Sequence, residues 1–431
     1  MAPLLLWTAC QGPTTPAGPA FGAEDLRTAN RKLLEVAMVD GFSPPVAARV
    51  YVYPHLAHYG TLRLFRPNEL EPVLPLIHDA PDLSTINTDG ADAELTALLA
   101  FCRIGRTVVF SEFELDGLAD VFLAKAKAHG IPEIGIQASV RTAEAVADAF
   151  APWMKSDGYV TTRTLDRFTS SKEPGHWVET SPDYTTALEP HWQKIRPMMI
   201  PNAAFDTVPP MPPYSTDPGS AFHAMVKEVY DGAMNLTDST RMIALYWDDN
   251  PNISSHRGHM VTQEHRISPP GHWLNIVSTH SRAQQSDLHT TTKAYTWCAL
   301  AMYDGVIACW NEKFRTDLVR PITYVQELID PDWNTVIQTP PFPEYPSGHS
   351  VTSAAAASVL TAIYGDDQPF TDSTEVLFGM GPRHFLSFHD AGWEVSMSRF
   401  YGGIHYMKSI EEGNRQGRRI GDLVVATINQ E

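Results

Sequence analysis

Apolar residues recur at helical spacing along most of the chain, whereas the alternation typical of β-strands is scarce. Leu26, Leu33 and Leu34, for example, share one face of a predicted helix over Ala23 to Ala37. Further predicted helices cover residues 44–57, 91–104, 110–128, 142–154, 218–245, 284–313 and 350–363. We therefore predict an all-α fold, and the number of helices suits two packed halves that each resemble a four-helix bundle.

A proline-rich stretch interrupts this helical pattern between residues 172 and 214. It contains nine prolines, and each proline removes a backbone donor that a helix interior needs. We therefore expect three parts: a flexible tail or signal remnant over residues 1–22, an N-terminal helical half over 23–214, and a C-terminal helical bundle over 215–431.

The composition argues against two kinds of partner. A net charge of −18 disfavours nucleic acid, because binding to a phosphate backbone requires a basic surface. No stretch reaches the roughly 18 apolar residues that a membrane span requires. In so acidic a chain, a cluster of cations indicates a site for an anion.

The N-terminus resembles the end of a lipoprotein signal. The apolar segment Leu4 to Cys10 precedes a proline- and glycine-rich tether, although the basic start and most of the apolar region of such a signal are missing. This pattern predicts a periplasmic or secreted protein with Cys10 as the site of lipid attachment. A simple tail on a cytoplasmic protein is the alternative.

Three short motifs in the last third of the chain supply groups that together suit a tetrahedral oxyanion. Such an anion needs several cations, backbone N–H donors and a hydroxyl around it. The motif residues are Lys313 and Arg320 in the first segment, Ser347, Gly348 and His349 in the second, and Arg399 and His405 in the third. Each motif alone is explained equally well by surface or structural roles, but their conjunction favours one anion site.

The spacing within the motifs predicts their local geometry. Lys313 and Arg320 are two helical turns apart, so we expect both on one face of a helix that ends at Pro321. Ser347 is expected at the N-cap of the alanine-rich helix over 350–363. The positive end of that helix would then point at the anion.

Arg399 and His405 are six residues apart, which on an unbroken helix would place them on different faces. Gly402 and Gly403 lie between them and allow a turn that directs both side chains to one place.

The order of the three motifs resembles the signature of the superfamily that joins type 2 phosphatidic acid phosphatases and bacterial acid phosphatases with vanadium-dependent haloperoxidases. With their surroundings the motifs cover residues 295–415. A weaker likeness to bacterial haloperoxidases extends upstream through residues 40–49, 246–251 and 268–273. The resemblance implies an all-helical fold of two four-helix bundles, with the anion site in the second.

If the anion is vanadate, the resemblance implies a haloperoxidase that oxidises halide with hydrogen peroxide. The product is a hypohalous acid equivalent that halogenates a small organic acceptor. His405 would bond the vanadium, His349 would act as acid and base, and Lys313 would polarise the peroxide. The vanadate oxygens would be held by Lys313, Arg320, Ser347, Gly348 and Arg399.

If the anion is phosphate, which fits the same site, the chain would be an acid phosphatase. His405 would then form a phosphohistidine, and His349 would protonate the leaving group. The phosphatase signature has Asp four residues after the second His, where this chain has Ser409, and the difference favours vanadate. An inactive oxyanion-binding scaffold is the third hypothesis.

Two further sets of residues are predicted around the anion. Trp310 and Phe342 match positions that line the halide pocket of haloperoxidases, and Phe342 resembles the chloroperoxidase arrangement. Core packing explains either aromatic residue taken alone. Arg399 needs an acceptor that orients its guanidinium group, and Asp248 or Asp249 is the candidate.

Overall fold

The computed structural model describes residues 19–257 and 259–430, and helices dominate this part of the chain. The α-helices are α1 (Ala23–Val39), α2 (Pro44–Phe65), α3 (Ala93–Arg106), α4 (Glu112–Ala128), α5 (Glu133–Lys155), α6 (Tyr159–Thr162), α7 (Ala221–Met234), α8 (Asp238–Tyr246), α9 (Pro269–Ala283), α10 (Leu288–Thr316), α11 (Pro321–Leu328), α12 (Gly348–Tyr364), α13 (Phe388–Tyr401) and α14 (Met407–Asn429). Two antiparallel hairpins pair β1 (Ile253–Arg257) with β2 (Met260–Glu264) and β3 (Phe370–Asp372) with β4 (Arg383–Phe385). The predicted all-α class is confirmed.

The predictions about the N-terminus and the membrane have different outcomes. Cys10 and the apolar segment before it lie outside the described residues. Among residues 19–257 and 259–430, no helix combines the length and the apolar character that crossing a membrane requires.

Some helix bounds differ from the sequence pattern. The segment 218–245, predicted as one helix, forms α7 and α8, because Thr237 starts a new helix by accepting the N–H of Thr240. Helix α9 was not predicted, although Pro269 and Pro270 occupy its first turn, where proline is favoured.

Helices α2 to α5 form one group and helices α10, α12, α13 and α14 form another, and the two groups share one core. Helix α3 packs against α2, α4 and α5, and α12 packs against α10, α13 and α14. Helix α2 also packs against α10, so a single buried cluster of apolar side chains extends through both groups. Burial of this continuous cluster stabilises both groups of helices.

Two carboxylates of α10 hold the proline-rich stretch in place. Asp304 accepts the backbone N–H groups of Met198, Met199 and Ile200 at 2.7, 2.7 and 2.9 Å. Glu312 accepts the N–H of Val208 at 3.2 Å. The stretch is therefore fixed along the helix that leads to Lys313.

Helices α12 and α14 approach each other closely, which fixes the start of α12. Gly413, Gly417 and Gly421 recur at every fourth position of α14 and so share one face. A Cβ atom at Gly417 would lie 2.0 Å from the carbonyl oxygen of Val351, and one at Gly413 would lie 2.8 Å from that of Ser347. Because these three glycines have no side chain, α14 can lie close to α12 and so fix the position of the Pro-Ser-Gly-His motif at the start of α12.

Gly417→Ala should destabilise the protein, because the added methyl group overlaps the backbone of α12. Overpacking of this kind costs about 1–3 kcal/mol or more. Gly117→Ala in α4 is the matched control, since a Cβ atom there has no neighbour within 4 Å. Removing a helix-interior glycine without a clash should stabilise by about 0.5–1 kcal/mol. Thermal unfolding of both variants checks the prediction, and equal midpoints would contradict it.

Candidate active site

Lys313 and Arg320 lie on different elements, so the prediction that one helix carries both is wrong. Helix α10 ends at Thr316, and Asp317 turns the chain with a left-handed φ of 45°. Pro321 starts α11 instead of ending a helix, because its fixed φ and missing donor suit a first helical turn, and Arg320 becomes the N-cap. The turn brings both cations to the ring of Phe342, at 5.0 and 5.1 Å from its centroid.

Both of these cations are fully buried and are bound by backbone carbonyl groups. Lys313 Nζ donates to the carbonyl oxygens of Pro343 and Glu344, each at 3.0 Å. Arg320 Nε donates to that of Phe342 at 2.9 Å. Burial lowers the pKa of Lys313 to about 7 and that of Arg320 to about 10.

Ser347 caps α12, as its position in the sequence predicts. Its hydroxyl group accepts hydrogen bonds from the N–H and the hydroxyl group of Ser350, at 3.4 and 3.0 Å. Gly348 follows as the first helical residue, and a Cβ atom there would lie 3.4 Å from the ring of Trp310 and 3.8 Å from Lys313 Cε. The N-terminal end of α12 therefore lies beside Lys313.

Arg399 is held by the turn that follows α8. Its Nη1 donates to the carbonyl oxygens of Trp247 at 2.6 Å and Asp248 at 3.2 Å, and its Nη2 lies 3.9 Å from Asp248 Oδ1. Burial raises the pKa of Asp248 to about 6. Asp249 instead contacts His272, with 2.8 Å between Oδ1 and Nδ1. Of the two predicted aspartates, Asp248 is the one beside Arg399.

His405 has a buried acidic partner that the sequence analysis missed. Its Nδ1 lies 2.7 Å from Glu344 Oε1, and its Nε2 lies 3.3 Å from Arg320 Nη1. A carboxylate at Nδ1 keeps the proton on that nitrogen and leaves the lone pair on Nε2. Burial and then the charge of Arg320 lower the pKa of His405 well below its usual value, so the ring is neutral.

The position of Glu344 changes what Ser409 implies. Ser409 Oγ is 3.4 Å from His405 Nδ1, farther away than the carboxylate of Glu344. The sequence offered one signal for this partner, because the acidic residue Glu344 lies two residues before the motif that begins at Pro346. Because Glu344 supplies the acceptor, Ser409 no longer argues against a histidine nucleophile.

A cavity of about 320 Å³ reaches His349, Arg399 and Phe342. Trp310 packs against Phe342, with 5.1 Å between the ring centroids. His349 Nε2 donates to the carbonyl oxygen of Asp248 at 3.2 Å, and burial followed by the charge of Arg399 lowers the pKa of His349 well below its usual value. The lining also includes polar residues, namely Ser43, Thr180, Asn250, Asn252 and Gln338.

In this site, two buried guanidinium nitrogens have no hydrogen-bond acceptor among the described residues. They are Arg320 Nη2 and Arg399 Nε. Buried donors of this kind are nearly always paired, so an anionic ligand is the expected partner. Three cations, the N-terminus of a helix and the lone pair of His405 Nε2 form a donor set that fits vanadate or phosphate.

Comparisons with known proteins show what this chain is similar to in sequence and in fold. Residues 293–431 match the family model described as the VCPO second helical-bundle domain. The crystal structure of a bacterial vanadium-dependent iodoperoxidase matches with a TM-score of 0.85 and 37% identity, covering 96% of this chain and 97% of that one. Holo and apo crystal structures of a bacterial vanadium-dependent chloroperoxidase match with TM-scores of 0.66 and 0.64 at 16% identity, each covering 90% of this chain and 95% of that one. A comparison with curated protein sequences gave no match.

The identity of 37% over nearly the full length of both chains settles the class. This chain belongs to the vanadium-dependent haloperoxidases. It is therefore an enzyme, a peroxidase that oxidises halide with hydrogen peroxide.

Glu344→Gln should weaken binding of phosphate and vanadate about tenfold to a hundredfold, the usual effect of losing a partner that orients a ligand. The amide can donate to His405 Nδ1, which moves the ring proton to Nε2 and removes the lone pair from the site. Calorimetric titration measures the affinity. Ser409→Ala is the control and should bind nearly as well as the wild type, whereas equal affinities for all three proteins would contradict the role of Glu344.

Phosphate affinity should fall as the pH rises above about 7, because the pKa of Lys313 is lowered to about 7 by burial and its charge is lost there. Lys313→Arg keeps its positive charge at every pH tested, so its phosphate affinity should not show the decrease that loss of the lysine charge causes. The second ionisation of phosphate affects both proteins equally, so the difference between the two titration curves isolates Lys313. Parallel curves would contradict the prediction.

Proposed function

We propose that this chain binds vanadate in a cage of seven residues and uses it to oxidise iodide. The cage is defined as Lys313, Arg320, Ser347, Gly348, His349, Arg399 and His405. The observation that carries the proposal is the pair of unpartnered buried nitrogens, Arg320 Nη2 and Arg399 Nε, together with the lone pair on His405 Nε2. His405 would be the metal ligand, and the cations, the Ser347 hydroxyl group and the Gly348 N–H would hold the oxygens.

Vanadate supplies, when bound, a Lewis acid that activates hydrogen peroxide without changing its own oxidation state. The protein supplies proton transfer and charge. His349 donates from Nε2 to the carbonyl oxygen of Asp248, so Nδ1 carries the lone pair that accepts a proton from the incoming peroxide. The positive charge of Lys313 stabilises the negative charge that develops on a peroxide oxygen.

Iodide is the proposed halide because the most similar of the three structures described above is that of an iodoperoxidase, at 37% identity. Phe342, with Trp310 behind it, provides an apolar wall at the cage that suits a large and weakly hydrated halide. The cavity of about 320 Å³, lined by both apolar and polar residues, has room for a small organic acceptor of the oxidised halogen.

Phosphoester hydrolysis is the second candidate function, and one contact favours it. Glu344 holds His405 Nδ1 at 2.7 Å, which leaves Nε2 as a nucleophile that could attack phosphorus. The same cage would then bind phosphate as a substrate group.

Purified protein should oxidise iodide in the presence of hydrogen peroxide after orthovanadate is added, and excess phosphate should abolish the activity by competing for the cage. The formation of triiodide, followed by absorbance, measures the rate. Bromide and chloride are tested in parallel and should react more slowly. Hydrolysis of a phosphomonoester that vanadate inhibits, without any peroxidase activity, would contradict the proposal and favour the second function.

Two variants belong to the same experiment. His405→Ala should abolish the vanadate-dependent activity, because the proposed metal ligand is lost. His349→Ala should still bind vanadate but turn over about a hundredfold to ten-thousandfold more slowly, the usual contribution of a positioned acid and base. Full activity in His405→Ala would show that another residue binds the metal.

A further inference from the structure

We propose that His272 is a positioning residue for the cage. It clamps the turn Trp247–Asp249, and the carbonyl groups of that turn hold Arg399 and His349 in place. The inference rests on the proposed function, because it concerns how tightly the cage binds its anion. His272 reaches the cage mainly through the turn, although its positive charge also contributes to the lowered pKa of His349.

His272 is fully buried and lies between two carboxylates. Its Nδ1 is 2.8 Å from Asp249 Oδ1, and its Nε2 is 2.7 Å from Asp372 Oδ2. Carboxylates accept hydrogen bonds, so both ring nitrogens donate, and the ring is an imidazolium cation. Burial alone would lower the pKa of His272, but Asp249 and Asp372 raise it well above its usual value.

The clamp is anchored on elements outside the turn. His272 lies in the first turn of α9, and Asp372 ends β3, where Tyr246 also donates to its carboxylate at 2.8 Å. The indole ring of Trp247 stacks on the imidazole of His272, with 4.5 Å between centroids and 29° between planes. His272 therefore contacts the turn at both of its ends.

The turn needs such an anchor because its backbone is strained. Asp249 has a φ of 44°, in the left-handed region that residues other than glycine rarely occupy. A conformation of this kind persists only where the surrounding contacts impose it. The short bond between the Asp249 carboxylate and His272 Nδ1 is the contact that holds this residue.

The same turn determines the position of two cage residues. The carbonyl groups of Trp247 and Asp248 accept both hydrogen bonds of Arg399 Nη1, and the carbonyl group of Asp248 also accepts from His349 Nε2. If the turn relaxed, the guanidinium group and the proposed acid and base would both lose their orientation. Distortions of this size at a ligand site reduce affinity and rate.

Glu375 and Arg266 also lie beside the clamp, and their contacts can be explained without a metal ion. Glu375 lies close to Asp249 and His272, and its carboxylate is 3.8 Å from Arg266 Nη1. Burial raises the pKa of Glu375 to about 8, so its carboxyl group is protonated at neutral pH. Since both nitrogens of His272 already bond to carboxylates, a metal ion would have to displace one of them.

The test compares His272→Gln with His280→Gln. His280 is a second buried histidine on α9, about 12 Å farther along the helix, where it packs against Tyr364 and Phe388. Inorganic phosphate and orthovanadate are titrated into each full-length protein by calorimetry, and thermal midpoints are recorded. His272→Gln should bind both anions about tenfold to a hundredfold more weakly, whereas His280→Gln should keep wild-type affinity even if it melts earlier.

Asp249→Gly is the second variant and is expected to fold, because glycine adopts a positive φ without strain. It removes the clamp from the turn and should also weaken binding of both anions. Wild-type affinity in Asp249→Gly, or in a folded His272→Gln, would overturn the clamp while leaving the proposed function intact. A wild-type protein that bound neither anion would overturn both.

Discussion

The burial of Lys313, Arg320 and Arg399 around one space is the constraint on which the rest of the structure depends. Like charges in a medium of low polarity destabilise one another and lose hydration, and burial lowers the pKa values of all three. Glu344 and Asp248 lie beside these cations, and each has a raised pKa. An anion bound in the proposed cage would compensate these charges, so its binding and the stability of the folded site would be coupled.

Backbone carbonyl groups, more than acidic side chains, keep the three cations in place. The segment 342–344 accepts from Lys313 and Arg320, and the turn at 247–248 accepts from Arg399. Carbonyl groups orient a cation without cancelling its charge, which leaves that charge available to a ligand. Such segments lie outside helices and therefore need anchors of their own, which explains the buried polar contacts at a distance from the cage.

The helical class could be predicted from the sequence because it depends on local patterns, and the residues of the proposed cage were inferred from three motifs taken together. Apolar spacing predicts helices, and the N-cap at Ser347 follows from the alanine-rich segment after it. Whether Lys313 and Arg320 lie on one helix or on two elements could not be predicted from the sequence in the same way. A proline after a helical segment is compatible with the end of one helix or the start of the next, and the tertiary packing of α10 and α11 selects the second.

The sequence by itself determined that this chain is helical and that seven residues of its last third suit an oxyanion. Only the tertiary structure decided which groups orient them, because Glu344 and His405 are 61 residues apart, and Asp248 and Arg399 are 151 apart. Contacts over such separations leave no periodic trace in the chain. They arise when burial forces each polar group to find whichever partner the packing of the helices has brought near it.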